Sequence, residues 1–261
     1  MSDPSAAKDA GDNNLASGYK SRMRFLDLTL PTAAENLALD EALLEIAETG
    51  EQAAECLRLW EPSRTHVVLG RSSRVHDEVD VAFCRSQDID ILRRSSGGAS
   101  IVTGPGCLMY AVVLSYELRP ELRMIEQAHR FVLERLVSAI QPLVPGIQLD
   151  GTSDLTVRQK KVSGNSLRCR RHHLLYHGTL LYDFPLELVG RCLRTPPRQP
   201  AYRNGRAHGD FLTNLPVSAA SLRQALGTAW RVKDADKSWP RQQVQQLVAD
   251  KYSQMDWNFR I

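Results

Sequence analysis

The run CLMYAVVLS, Cys107 to Ser115, carries no charge along its length. An uninterrupted apolar stretch of this kind predicts a strand in the interior of a sheet, where both faces are covered. Other runs fit around it. MRFLDLTL (Met23 to Leu30), DILRR, DLTV, KKVSG and LLYHGTLLYDF read as strands, while CLRLWE and THVVLG read as a strand pair joined by the turn PSR. Thr32 and Glu35 form a T-x-x-E capping box after Pro31, and Leu39, Leu43 and Ile46 follow at helical spacing. Ile125, Ala128, Val132, Leu136 and Ile140 mark the longest helix, which stops before Pro142. Val79 to Gln87 predicts a short helix, and SAASLRQALGTAW and PRQQVQQLVADKY predict two more. Strands outnumber long helices, so the expected class is α+β, a mixed β-sheet core flanked by helices. One domain is expected over residues 22–261, after a disordered tail at 1–21. The loop Arg194 to Gly209 has a composition that suggests mobility.

At 43% hydrophobic and 24% charged residues, a chain of 261 can bury a substantial core. Its net charge of +3 does not by itself point to nucleic acid or a membrane. No apolar run approaches the roughly 20 residues needed to cross a bilayer. The N-terminal residues lack the basic and apolar blocks of a signal peptide. Cys56, Cys84, Cys107, Cys169 and Cys192 follow no metal-binding spacing, and their odd count fits a reducing cytosol. The expected location is cytoplasmic.

The electrostatic message is local. Arg158 to Arg171, RQKKVSGNSLRCRR, holds six Lys or Arg in fourteen positions, and no acid falls between Asp154 and Asp183. Lys161 stands next to Ser163, Gly164 and Asn165, which presents a cation beside a turn. Lys160, Arg168, Arg170 and Arg171 read as a solvated basic face. Aromatic residues that could stack on bases are missing there except Tyr176, which argues against nucleic acid. A second cluster is RRSSGGASIVTGPG, Arg93 to Gly106. Adjacent glycines let backbone N–H groups approach an anion, and an arginine can clamp phosphate or carboxylate with two parallel bonds. The spacing matches neither a P-loop nor a dinucleotide fingerprint. On composition alone, a glycine-rich hairpin without a ligand is the commoner explanation. Taken singly, His177 reads as a packed core histidine, and Trp60 as either core or the wall of an apolar slot.

Taken together and in order, ENLALDEALL, LRLWEPSRTHVVLGR, RRSSGGASIV, SDLTV, KKVSGNS and HGTLL resemble the lipoate–protein ligase A family. The resemblance runs from about Arg22 to Trp257, and it includes the ending KYSQMDW. It implies the biotin/lipoate ligase catalytic fold, related to class II aminoacyl-tRNA synthetases. It also implies an activity. Lipoate would attack ATP to give lipoyl-AMP and pyrophosphate, and the acyl group would pass to a lysine of a carrier domain. The implied carriers are the lipoyl domains of 2-oxoacid dehydrogenase E2 proteins and the glycine cleavage H protein. ATP, Mg2+ and lipoate are the implied ligands. Lys161 would be catalytic, stabilising charge on the carboxylate and α-phosphate oxygens. Arg94, Ser96, Gly97, Gly98 and Ala99 would form the loop beside the acyl chain and phosphate. Asp154 would lie near the nucleotide and its magnesium. Ser163 and Gly164 belong to the lysine element, His177 and Gly178 would floor the pocket, and Trp60 and Gly70 would shape its dithiolane end.

The chain also departs from that family. Ala99 stands where a third glycine is usual, Thr103 where a histidine is common, and Ser153 where an asparagine often precedes the aspartate. Longer ligases carry a small C-terminal domain, and none is expected here before Ile261, so a separate small accessory subunit is one option. The rival function is an octanoyl or lipoyl transferase that works through a cysteine thioester without ATP. GPGCLMY is similar to an element of one transferase branch, but Cys192 falls a few residues early and within a predicted helix. The other branch would place its thiol in GIQLDGT, which has none. A non-catalytic ligand-binding member of the fold is a further alternative. A biotin ligase would need a GRGRxGR-like loop, which is missing.

Overall fold

The structure, a computed structural model, describes residues 23–50, 55–195 and 199–260. The tail expected at 1–21 lies outside the described residues. The run that predicted a central strand is β6 (Cys107–Ser115), buried along its whole length. Its side chains alternate as strand geometry requires. Leu108, Tyr110, Val112 and Leu114 enter one hydrophobic cluster, while Ala111 and Val113 enter a second and Cys107 and Met109 a third.

Among the described residues β6 lies inside a seven-stranded sheet. The order is β1 (Arg24–Asp27), β2 (Cys56–Trp60), β6, β10 (His173–Leu181), β9 (Lys160–Cys169), β8 (Asp154–Val157) and β7 (Ile147–Asp150). β1 and β2 are parallel, and the remaining pairs are antiparallel. A three-stranded sheet has the order β4 (Asp90–Arg93), β3 (His66–Leu69) and β5 (Ile101–Thr103). The helices are α1 (Ala33–Thr49), α2 (Val75–Glu78), α3 (Val81–Ser86), α4 (Ile125–Ile140), α5 (Glu187–Cys192), α6 (His208–Phe211), α7 (Ala219–Ala229), α8 (Arg241–Leu247) and α9 (Met255–Asn258). α4 and α7 fill the first cluster on one face of the large sheet. The other face is shared. α1 and α8 pack in the second cluster, and the small sheet with α3 and α5 packs in the third.

Local signals explain the elements that hold the site. α1 begins with the capping box: Thr32 Oγ1 accepts from the Glu35 N–H at 3.2 Å, and Glu35 Oε2 accepts from the Thr32 N–H at 2.9 Å. Its inner side buries Asn36, Asp40 and Glu41 among leucines.

Three features differ from the sequence reading. CLRLWE and THVVLG do not pair. β2 joins the large sheet and β3 the small one, because both strands are buried at every position and each suits the interior of its own layer. Two strands went unread: β5 has only three residues, and β7, IQLD, exposes both of its middle residues and so carries little apolar signal. The last helix is interrupted: α8 gives way to a π-helical turn at Val248–Tyr252.

Candidate active site

β10 follows the alternation of β6. Leu174, Tyr176 and Leu180 enter the α4/α7 cluster, and Leu175 and Leu181 face the other side. The polar His177 and Thr179 come between those two, where the α1 layer and the small sheet part. A cleft of about 410 Å³ opens there, and Leu37, Asp40, Val68, Met109, Lys161 and His177 are among its walls. A side cavity of about 140 Å³ shares Ala99, Lys161, Gly164 and Thr179 with it and continues between Leu181, Val189 and Phe211.

Lys161 reaches this face through a defect in the ladder. Leu155 pairs with Ser163, but Thr156 pairs with Lys161, so Val162 is an extra residue in β9. In a regular strand, residue 161 would face away from 164 and 166. The bulge reverses that alternation and aims the ammonium into the cleft. Gly164 makes room for it, since a Cβ there would stand 3.0 Å from both Lys161 Cε and Nζ. Lys161 Nζ pairs with Asp154 Oδ1 at 2.7 Å, and Asp154 Oδ2 accepts from the Tyr202 hydroxyl at 2.7 Å. Burial, followed by the Asp154 charge, raises the Tyr202 pKa, so this phenol stays protonated and donates.

Gly178 answers to a different neighbour. A Cβ at that position would lie 1.8 Å from Asn165 Oδ1. The Asn165 amide crosses the strand there, accepting from the Tyr110 hydroxyl and donating to the Ser153 carbonyl at 2.8 Å. Ser163 is buried beneath it, and its Oγ accepts from Asn165 Nδ2 at 3.0 Å.

The glycine-rich segment links β4 to β5. Gly97, Gly98 and Ala99 are exposed, and the last two line the cleft while Gly97 lies outside it; Arg94, Ser95 and Ser96 are buried. Gly98 has φ +88°, a conformation that favours glycine. Gly70 supports it from below, because a Cβ at Gly70 would stand 1.8 Å from the Gly98 carbonyl oxygen. Ala99 is not among the residues with positive φ, which explains why an alanine is accepted there. Arg94 is committed to the loop itself. Its Nε donates to Ser96 Oγ at 3.0 Å, its Nη1 to the Val68 carbonyl at 3.2 Å, and its Nη2 to the carbonyls of Ala99, at 3.0 Å, and Gly97. Burial lowers its pKa to about 10, which leaves it cationic at neutral pH. Thr103 lies under the cleft, and its hydroxyl meets Met109 Sδ at 3.2 Å.

His177 joins the loop to α1. Its Nε2 is 2.6 Å from Ser96 Oγ, and its Nδ1 faces Asp40 Oδ2 at 3.8 Å. Asp40 was not anticipated, although an acid inside the apolar pattern LALDEALL was a legible signal. Nothing in the sequence marked Tyr202.

The structure thus gathers Lys161, Asp154, Gly164, His177, Gly178, Arg94, Gly98 and Ala99 around one cleft. Gly70, Ser96 and Ser163 stand behind it. Trp60 is not brought there. It is fully buried in the third cluster, with the Arg58 guanidinium 5.1 Å from its ring. No cysteine lines the cleft. Burial pushes the Cys56, Cys84 and Cys107 thiols up to about 12 and also raises Cys192, and thiols in that state are poor nucleophiles. Cys169 is exposed, but it lies at the far end of β9, roughly 25 Å along the strand from Lys161. Among the described residues no three His, Cys, Asp or Glu side chains gather where they could hold a metal ion, and no helix is long and apolar enough to cross a membrane.

Residues 32–243 match the family model of the lipoyl protein ligase A/B catalytic domain. Lipoate–protein ligase 1 of Staphylococcus aureus is 25% identical over 253 residues, covering 91% of this chain and 73% of that protein. Octanoyltransferase LipM of Carboxydothermus hydrogenoformans is 26% identical over 269 residues, covering 91% of this chain and 98% of that protein. The bi-partite lipoate protein ligase of Thermoplasma acidophilum, described with its E2 lipoyl domain, shares the fold. Its TM-score is 0.76 at 21% identity, over 91% of this chain and 96% of that one.

Proposed function

The chain belongs to the lipoyl protein ligase A/B catalytic-domain family, an acyl ligase or related acyltransferase, and from that premise we propose that it is an ATP-dependent lipoate–protein ligase. One observation carries this reading. The Lys161 ammonium faces the glycine-rich loop across a cleft that no thiol lines.

In the first step a carboxylate oxygen of lipoate attacks the α-phosphorus of ATP. An acyl–phosphate bond forms, and the bond to pyrophosphate breaks. In the second, the amine of a carrier lysine attacks the acyl carbon, loses a proton and displaces AMP. Negative charge builds on oxygens at the same junction in both steps, and Lys161 stabilises it there. Its ion pair with Asp154 holds the ammonium in place until substrate arrives. The side cavity, walled by Leu181, Val189 and Phe211, keeps water from the mixed anhydride. Asp154 offers Mg2+ a single carboxylate, which fits an ion carried in by ATP phosphates rather than a resident one. Bound there, it would neutralise phosphate charge. Lipoyl carrier domains are the acceptors in this reading, and a separate small accessory subunit is one option for the adenylation step. The ligase described with its E2 lipoyl domain supports the carrier by its partner, and its bi-partite form is the reason to include accessory subunits in the test.

Lipoate-dependent exchange of pyrophosphate into ATP tests the proposal. It is run with lipoate and octanoate in parallel, with and without an apo carrier domain and candidate accessory subunits. Exchange is the expected result, and its absence under all of these conditions overturns the ligase reading. One observation favours transferase chemistry instead: the match to octanoyltransferase LipM spans nearly all of that protein. That reading requires an acyl-thioester, visible by mass spectrometry and abolished by one Cys→Ser change.

A further inference from the structure

Arg58 lies outside the cleft and is completely buried, yet it carries a charge. Its Nη1 donates to Asp40 Oδ1 at 2.5 Å and to the Asn36 carbonyl at 2.8 Å. Its Nη2 donates to Asn36 Oδ1 at 2.5 Å and to the Leu28 carbonyl at 3.0 Å, and its Nε to the same carbonyl at 3.3 Å. Every N–H of the guanidinium is satisfied. A buried ion pair of this kind is a poor source of stability, since apolar side chains of similar volume are often as good or better. Its retention calls for another reason, and the geometry supplies one.

Asp40 divides its two oxygens. Oδ1 is taken by Arg58, which fixes the carboxylate, and Oδ2 is turned toward His177 Nδ1 at 3.8 Å. At this separation the contact is electrostatic rather than a hydrogen bond, and a fixed carboxylate favours the proton on the ring nitrogen that faces it, which places it on Nδ1. Nε2 is then a lone pair, and it faces Ser96 Oγ at 2.6 Å. The Ser96 hydroxyl donates to it while accepting from Arg94 Nε at 3.0 Å. Arg94 in turn holds the carbonyls of Gly97 and Ala99. A continuous chain of contacts thus runs from a core arginine on β2 to the exposed glycines of the loop.

We propose that Arg58 and Asp40 are positioning residues, a buried pair that sets the His177 tautomer and thereby the conformation of the glycine-rich loop that receives the acid substrate. The inference rests on the reading above for the identity of that substrate, but its first test does not. In protein carrying 15N-labelled histidine, long-range proton–nitrogen correlation separates the two neutral tautomers, and His177→Gln identifies the signal. The Nδ1–H form is expected for His177. The Nε2–H form in the native protein would overturn the proposal with no variant required.

The second test uses the double variant Asp40→Leu with Arg58→Met, which removes both charges together, since removal of one alone would strand the other in the core. The His177 tautomer ratio is expected to shift, and the dissociation constant for lipoate or octanoate to rise about tenfold as the loop loses its support. A folded double variant with native tautomer and native acid affinity would show the pair to be structural only. A native protein that binds neither acid would sink the ligase reading, while the tautomer measurement would still decide the positioning role.

Discussion

Lys161 and Gly178 occupy neighbouring strands, but substitution at each should be felt differently. Lys161→Ala leaves the β9 ladder intact and removes the ammonium from the acyl–phosphate junction. The exchange rate is expected to fall by about 10²–10³, the cost of an oxyanion donor, while a thermal melt still shows a cooperative transition. Gly178→Ala instead forces a methyl group into the Asn165 amide, whose oxygen lies 1.8 Å from the required Cβ. Displacing that amide breaks its bonds to Tyr110 and Ser153, so a loss of about 1–3 kcal/mol in urea denaturation is expected. Both residues were legible in the sequence as a cation and a glycine in a basic, glycine-containing stretch. What each touches was not.

At the scale of elements, the bulge in β9 matters more than any propensity. Inserting one residue between Leu155 and Thr156 would give Val162 a partner in β8, restore regular pairing and turn Lys161 to the opposite face of the sheet. The insertion variant is therefore expected to lose at least as much exchange activity as Lys161→Ala, and full activity would show that the bulge does not aim the lysine. α1 supplies a contrasting case, because its start is locally encoded. Thr32→Ala removes the cap from Glu35 N–H, and a stability loss of about 1 kcal/mol by chemical denaturation is expected. The capping box could be read directly, whereas the bulge depends on which residue of β8 each residue of β9 meets. That is a property of two strands at once.

For the molecule as a whole, acid sensitivity is set partly by a residue remote from the cleft. His66 in β3 is 2% exposed, with Nδ1 3.2 Å from the Arg64 carbonyl and Nε2 without a partner. Burial lowers its pKa from 6.5 to about 4. Between those values the unfolded chain binds the proton and the folded one does not, so stability is lost as pH falls through this window. The loss attributable to His66 is on the order of 2–3 kcal/mol. Denaturation curves from pH 7 to pH 4 should therefore flatten in a His66→Asn variant relative to the native chain, and identical slopes would count against the assignment.

What the amino-acid sequence determined by itself is whatever depends on near neighbours. That includes the covered central strand at Cys107–Ser115, the capped start of α1, the long amphipathic α4, and the glycine and lysine motifs that carry the family resemblance. The tertiary structure decided everything that needs distant segments to meet. It split the run around Pro62 between two sheets, drew Trp60 into the core, and spent Arg94 on carbonyls of its own loop. It also placed Asp40 and Arg58 behind His177. The physical reason is that periodicity records which face of an element is apolar, but not which surface covers that face. Where two layers part instead of meeting, polar side chains from α1, β4, β9 and β10 converge, and only the packing of those layers brings them within a few ångströms of one another.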